Sequence, residues 1–320
     1  MFNTAVCTGL FCAAHASRAA AWPEKPVRII LPFAAGSSPD AGNRVFANEL
    51  AIALSQPVII ENRPGANGIT GTVAALAAAP DGYTLLSINV GTLAINPFLF
   101  PKQKYDPLKD LTIISIRSST ANVLAVRPDL PAKTVGELVA LGKTGPNALT
   151  MGSSGTGTTG HLSGELFKEM TGVHAVHVPY RGSAAAYTDL MSGRVDFMFD
   201  NLVSVGAHAK EGRVRILAVT SAVRSELMPD VPTLQEAGLK GYEIVSWGGL
   251  GVPRETPQSV VGILKVAAEK ANNGAAVLAF NRQNGLIPIN PMNDAQAVAF
   301  VKAEQDKWAA LIRRSGAANI

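Results

Sequence analysis

Short apolar runs of strand length alternate with segments whose apolar positions recur every three or four residues, and this continues for most of the chain. Residues 27–33 are a short apolar run apart from Arg28, and 42–55 follow with Val45, Phe46, Leu50 and Leu54 on one helical face. Residues 58–61 read as the next strand and an alanine-rich helix extends to 79. Pro80-Asp81-Gly82 breaks that helix, and 84–88 read as a third strand. This βαβαβ order predicts a parallel sheet with helices on both faces. Residues 111–116 and 122–127 are apolar and β-branched, and are expected where the chain crosses into a second unit. There the alternation restarts: helix 135–141, strand 149–151, helix 161–170, strand 175–178, helix 183–192, strand 195–199, helix 203–210 and strand 215–220. Residues 242–251 read as a second crossing strand. Past Pro253 only helices are predicted, at 258–270, 275–283 and 294–314, the last with Val298, Val301, Trp308 and Ile312 on one face.

The pattern therefore predicts an α/β protein of two lobes, with two mainly parallel sheets flanked by helices and joined by two crossing strands. Residues 22–121 and 246–320 make lobe 1, and residues 122–245 make lobe 2. Two crossings and a helical return onto the first lobe are the architecture of a hinged binding protein, whose ligand sits beyond the strand C-termini.

Composition agrees with a globular chain: 47% of the 320 residues are hydrophobic and 16% are charged. The formal charge of +4 suits a small anionic ligand. No cluster of Lys and Arg with interleaved aromatics occurs, so nucleic acid is not an expected partner. Residues 1–21 read as a secretory signal. Their apolar stretch, 4–14, is too short to span a bilayer, and Ala19-Ala20-Ala21 supplies an A-x-A cleavage site before Trp22. The segment is atypical in having no Lys or Arg before the apolar stretch. Cleavage would remove Arg18, leaving a charge of +3, because 1–21 hold no other Lys, Arg, Asp or Glu. It would also remove Cys7 and Cys12, and with them any disulfide, thiolate nucleophile or Cys-ligated zinc. Phe11 is too bulky to precede a lipidated Cys12. A soluble periplasmic monomer is expected.

Two glycine- and hydroxyl-rich loops carry the candidate chemistry. Gly152-Ser-Ser-Gly-Thr-Gly-Thr-Thr-Gly160 lies between a predicted strand and a helix opened by His161, and Phe33-Ala-Ala-Gly-Ser-Ser-Pro-Asp40 follows the first strand. A glycine turn leading into a helix points unpaired backbone N–H groups and the positive end of the helix dipole at one spot, which makes an anion site. Two such loops in different halves of one chain suggest an anion clamp. Gly155-Thr-Gly-Thr-Thr-Gly160 matches the dinucleotide fingerprint G-x-G-x-x-G, but the acid expected about 20 residues on is missing from 173–180. A phosphate loop fails too, for want of a Lys after the last glycine. Thr158 or Thr159 could equally be a simple helix N-cap.

Metal and catalytic sites have weaker support. His174 and His177 are three apart on a strand and face opposite sides, so they cannot chelate one metal. His161 alone is more often structural than a ligand, and His208 is isolated. No G-x-S-x-G elbow occurs and no Ser/His/Asp triad can be placed. Glu165 and Glu169, four apart on a helix, read as a solvated face. Asp200-Asn201 ends a strand and would face the cleft, either contacting ligand or capping the next helix. No cofactor and no metal are expected.

Several segments together resemble one family. They are Pro32-Phe33-Ala34-Ala35-Gly36 through Asp40, Glu61-Asn-Arg-Pro-Gly-Ala-Asn-Gly68, Pro80-Asp-Gly-Tyr-Thr-Leu85, 152–161, Val178-Pro-Tyr-Arg-Gly182, Gly193-Arg-Val-Asp196 and Pro229-Asp-Val-Pro-Thr233. In this order, over essentially the whole mature chain, they resemble the extracytoplasmic solute receptors of tripartite tricarboxylate transporters, the Bug family. The resemblance implies a two-lobed, type II-like periplasmic binding protein that closes on a small organic carboxylate and delivers it to integral membrane permease subunits. It places Phe33, Gly36, Ser38 and Asp40 at the ligand or its ordered water in the first loop. In the second it implies Ser153, Gly155, Thr156, Thr158 and His161. Asn89 and Asp200 fall at pocket positions that vary with ligand. The chain departs from the family pattern at Ala35, Ser37 and Ser38-Pro39, and Pro39 removes an N–H donor at the helix start. Two other readings stay open: an NAD(P)-dependent oxidoreductase using the 155–160 loop, and a sensor presenting bound solute to a signalling partner.

Overall fold

A computed structural model describes residues 22–146 and 148–315; the signal reading of 1–21, with Cys7 and Cys12, lies outside them. The first sheet starts from β1 (Val27–Leu31), whose apolar residues are almost all fully buried. α1 (Ser38–Leu54) begins four residues before the apolar periodicity does, since Pro39 is tolerated in a first helical turn. β2 (Val58–Asn62), α2 (Ile69–Leu76) and β3 (Thr84–Asn89) complete a parallel β2-β1-β3 unit. A π-helical turn (Gly91–Ile95) and α3 (Asn96–Leu99) follow; neither was expected from the sequence.

β4 (Leu111–Val126) is one strand of 16 residues where two shorter runs were read. Its first part pairs antiparallel with β9, and its last five residues pair antiparallel with β7 and β8, so it belongs to both sheets. The second sheet is built from α4 (Val135–Leu141), β5 (Leu149–Ser153), α5 (Thr159–Thr171), β6 (Ala175–Pro179), α6 (Ser183–Met191), β7 (Phe197–Asn201), α7 (Leu202–Lys210) and β8 (Arg215–Val219). Its β6-β5-β7 unit is parallel. Each sheet is thus a parallel three-strand unit extended by antiparallel crossing strands.

β9 (Val245–Pro253) returns to the first sheet between β3 and β4. α8 (Gln258–Asn272), α9 (Ala275–Asn284), a two-residue strand β10 (Ile287–Pro288) beside β4, and α10 (Asp294–Ser315) end the described chain. Trp308 on α10 is fully buried, and its indole and that of Trp247 both donate to Glu304. Val298, expected on the same buried face, is 42% exposed. α10 also reaches the second lobe, where Arg314 pairs with Glu169 of α5 at 2.8 Å. Among the described residues no helix is long and apolar enough to cross a membrane.

Candidate functional site

The two glycine-rich loops face each other across a cavity of about 320 Å³. From the first lobe it is lined by Phe33, Ser38, Asn67, Asn89 and Gly91, from the second by Ser154, Gly157, Thr158, Thr159 and Asp200. The helices α1 and α5 both begin at this cavity. The first-turn N–H groups of Ser38 and Asp40, and of Thr159 and Gly160, have no intrahelical acceptor, as helix geometry requires. Pro39 contributes none, and the Ser37 side chain makes no cap.

The second loop is shaped by close approach. A Cβ on Gly160 would lie 2.2 Å from the Phe199 carbonyl oxygen, so only glycine lets α5 start against β7. Gly157, at φ +80°, would place a Cβ 2.2 Å from Leu99 across the cleft. Thr158 caps α5 by accepting from the His161 N–H at 3.3 Å. Two contacts tie the lobes together over the cavity. Asn67 Nδ2 donates to the Gly157 carbonyl at 3.2 Å, and the Thr159 and Ser246 hydroxyls are 2.7 Å apart.

Of the residues expected at the ligand, Phe33, Ser38, Asn89, Thr158 and Asp200 line the cavity. Gly36, Asp40, Ser153, Gly155, Thr156 and His161 do not. Most of the second group brace the loops from behind. Asp40 is buried and accepts from the Gly36 N–H, Arg44 Nε and Asn62 Nδ2, each at 2.9 Å. Burial pushes its pKa up, but these hydrogen bonds and the Arg44 charge outweigh that and hold it below its ordinary value. Gly155 accepts from the Thr158 hydroxyl at 2.8 Å, closing the turn.

Ser153 and His161 belong to a buried neutral cluster. Ser153 Oγ is 2.7 Å from His177 Nε2, and the imidazoles of His161 and His177 stack with centroids 4.0 Å apart. His161 Nδ1 accepts from the Gly157 N–H at 3.1 Å, which puts the ring proton on Nε2. Burial first, then the His177 and Lys168 charges, lower the His161 pKa to about 3. Burial and Lys168 lower that of His177 to about 4. His161 is therefore a neutral strut under the loop. Thr156 is half-buried and outside the lining.

Asp200 sits at the C-terminal end of β7, accepting from the Tyr187 hydroxyl at 3.1 Å and the Asn201 N–H at 2.8 Å. Burial raises its pKa despite these donors. Four buried polar atoms at the cavity have no hydrogen-bond partner among the described residues: Asn89 Nδ2, Ser115 Oγ, Arg117 Nε and Asn201 Oδ1. Sequence reasoning passed over Arg117, Asn43, Asn67 and Ser246. The available signal was Arg117-Ser118-Ser119-Thr120, a polar run inside an otherwise apolar strand. Among the described residues no three His, Cys, Asp or Glu side chains come together as a metal would need.

Similarity to known proteins runs along the whole described chain. Residues 43–317 match the family described as tripartite tricarboxylate transporter family receptor. Protein BugT of Bordetella pertussis is 34% identical over 297 residues, covering 92% of this chain and 91% of BugT. Rpa4515 of R. palustris, solved with adipate, superposes with a TM-score of 0.86 at 34% identity, over 92% of this chain and 98% of that one. MatC of Rhodopseudomonas palustris, solved with bound malate, gives 0.84 at 31% identity, over 91% and 100%.

Proposed function

We propose that this chain, which belongs to the tripartite tricarboxylate transporter receptor family, captures a small organic carboxylate between its lobes and delivers it to integral membrane permease subunits. The chain is a periplasmic receptor of the solute-binding class and not an enzyme, as its family and structural neighbours are. The nicotinamide reading of the 155–160 loop lapses with that. Secretion by residues 1–21 accords with a periplasmic protein and forms part of the proposal.

One observation carries the carboxylate reading: the N-termini of α1 and α5 converge on a cavity whose lining includes polar atoms with no partner among the described residues. Orphan N–H groups at the positive ends of two helix dipoles favour an anion, and a carboxylate accepts several such bonds at once. Ser38 and Thr158–Thr159 would hold it, Phe33 would cover its apolar part, and Asn89 and Asp200 would meet the rest of the ligand. Gly36, Asp40, Ser153, Gly155, Thr156 and His161 would act through the loops they support. Neighbours solved with adipate and malate support this class of ligand. The test is calorimetric titration with aliphatic and aromatic carboxylates, with NAD(P) as a control. The expected result is one saturable site for at least one carboxylate and none for NAD(P). Silence across the carboxylates would overturn the reading.

A further inference from the structure

The lining of the same cavity also holds a cation with no ionic partner among the described residues. Arg117 sits on β4 between Ile116 and Ser118, where the register against β9 shifts, a bulge that re-aims a side chain. Its Nη2 donates to Asn43 Oδ1 at 2.9 Å, its guanidinium lies 4.1 Å over the Phe46 ring, and Nε is buried without an acceptor. Among the described residues no carboxylate comes within 4.0 Å of it. Of the other charged groups on the lining, Lys265 pairs with Asp294, Glu269 is exposed, and Asp200 is occupied by Tyr187 and Asn201.

A guanidinium taken from water without a counter-charge is costly, and one amide oxygen and one aromatic face offset only part of that cost. Burial lowers its pKa to about 10, so it stays charged at neutral pH. Asn43 ties it to the first turn of α1, because its Nδ2 donates to the Pro39 carbonyl at 2.8 Å. Ser87, Ser115 and Phe46 lie in the same stretch of cavity.

We propose that Arg117 is a second anion subsite, so that the cleft selects short ligands carrying an acidic group at each end over those carrying one. This rests on the reading of the helix N-termini as the first carboxylate site. The guanidinium fork matches a carboxylate in two parallel hydrogen bonds. Its Nε supplies one of them without disturbing Asn43.

The experiment is calorimetric titration of the full mature chain with matched pairs: butyrate and succinate, pentanoate and glutarate, hexanoate and adipate. For the chain length that binds best, the diacid is expected to bind at least about tenfold tighter than the monoacid. In Arg117→Gln the ratio is expected to collapse to about one, and in Arg117→Lys to keep part of its value. Equal affinities in the unaltered protein overturn the inference whether or not the variants fold, as does an undiminished ratio in Arg117→Gln. Binding of monoacids alone would overturn the subsite and leave the carboxylate receptor standing. Failure of every acid would remove both.

Discussion

The two loops that face each other across the cleft are held by opposite means. Loop 33–40 is fastened by charge: Asp40 collects the Gly36 N–H, the Arg44 guanidinium and the Asn62 amide, with Arg44 half in solvent. Loop 152–160 is fastened by neutral groups, the stacked imidazoles of His161 and His177 and the hydroxyls of Ser153 and Thr158. An ionised brace holds only while its acid is ionised, and a buried imidazole brace only while its bases are neutral. The jaws of one clamp should therefore loosen in different ranges of acidity.

The histidine side gives the largest effect. The native pKa values of about 4 and about 3 lie below the ordinary 6.5, so between 6.5 and about 4 the unfolded chain binds protons that the native chain does not. Stability then falls as pH falls through that window. From pH 7 to 5 the two groups should cost roughly 3 kcal/mol, at about 1.4 kcal/mol per unit for the buried His161 and less for the partly exposed His177. His161→Asn with His177→Gln keeps the acceptor near Nδ1 and the group near Nε2 but removes both titrations. Urea denaturation at pH 7 and 5 should show the parent losing that much more than the double variant. Equal losses would mean the histidines are not the acid-sensitive brace.

The Asp40 side gives a smaller effect at lower pH. Its native pKa lies below 3.8, so its contribution is complete above that value and is lost as pH falls through the native one. Asp40→Ala should cost about 2 kcal/mol at pH 7, leaving three donors without their acceptor. The gap from the parent should narrow below pH 3.8. A gap that stays constant to pH 3 would show that the site is braced by packing and not by charge.

The smallest effect probes the bridge between the jaws. Asn67 has φ +51°, which glycine also accepts, so Asn67→Gly removes the Gly157 contact without backbone strain. Carboxylate affinity should drop about fivefold, with a melting temperature lower by a few degrees, because Asn67 Nδ2 also donates to the buried Asn96 Oδ1 at 2.8 Å. An unchanged affinity would place the lobe-bridging contact outside the binding equilibrium.

Much of the fold was legible because most strands are short buried runs flanked by glycine or proline, and the helices keep their period. What escaped did so for physical reasons. Residues 91–99 form a π-helical turn and a single α-turn around Pro97, too short to carry a period. β4 was read as two pieces because Arg117-Ser-Ser-Thr120 interrupts its apolar pattern; these four residues lie along the cleft, where polarity marks a cavity lining and not a break. The loops themselves were readable from glycine and hydroxyl spacing. Which of their residues face the ligand was not. Asp40 and His161 turn towards partners 22 and 16 residues away, Asn62 and His177, which no local pattern pairs with them.

The most direct test of the central claim is to titrate the ¹⁵N-labelled mature chain with the tightest-binding carboxylate and follow its backbone amides. The account predicts that the first-turn amides Ser38, Thr159 and Gly160 shift most, at a single saturating stoichiometry. Saturable binding that leaves all three unmoved would contradict it.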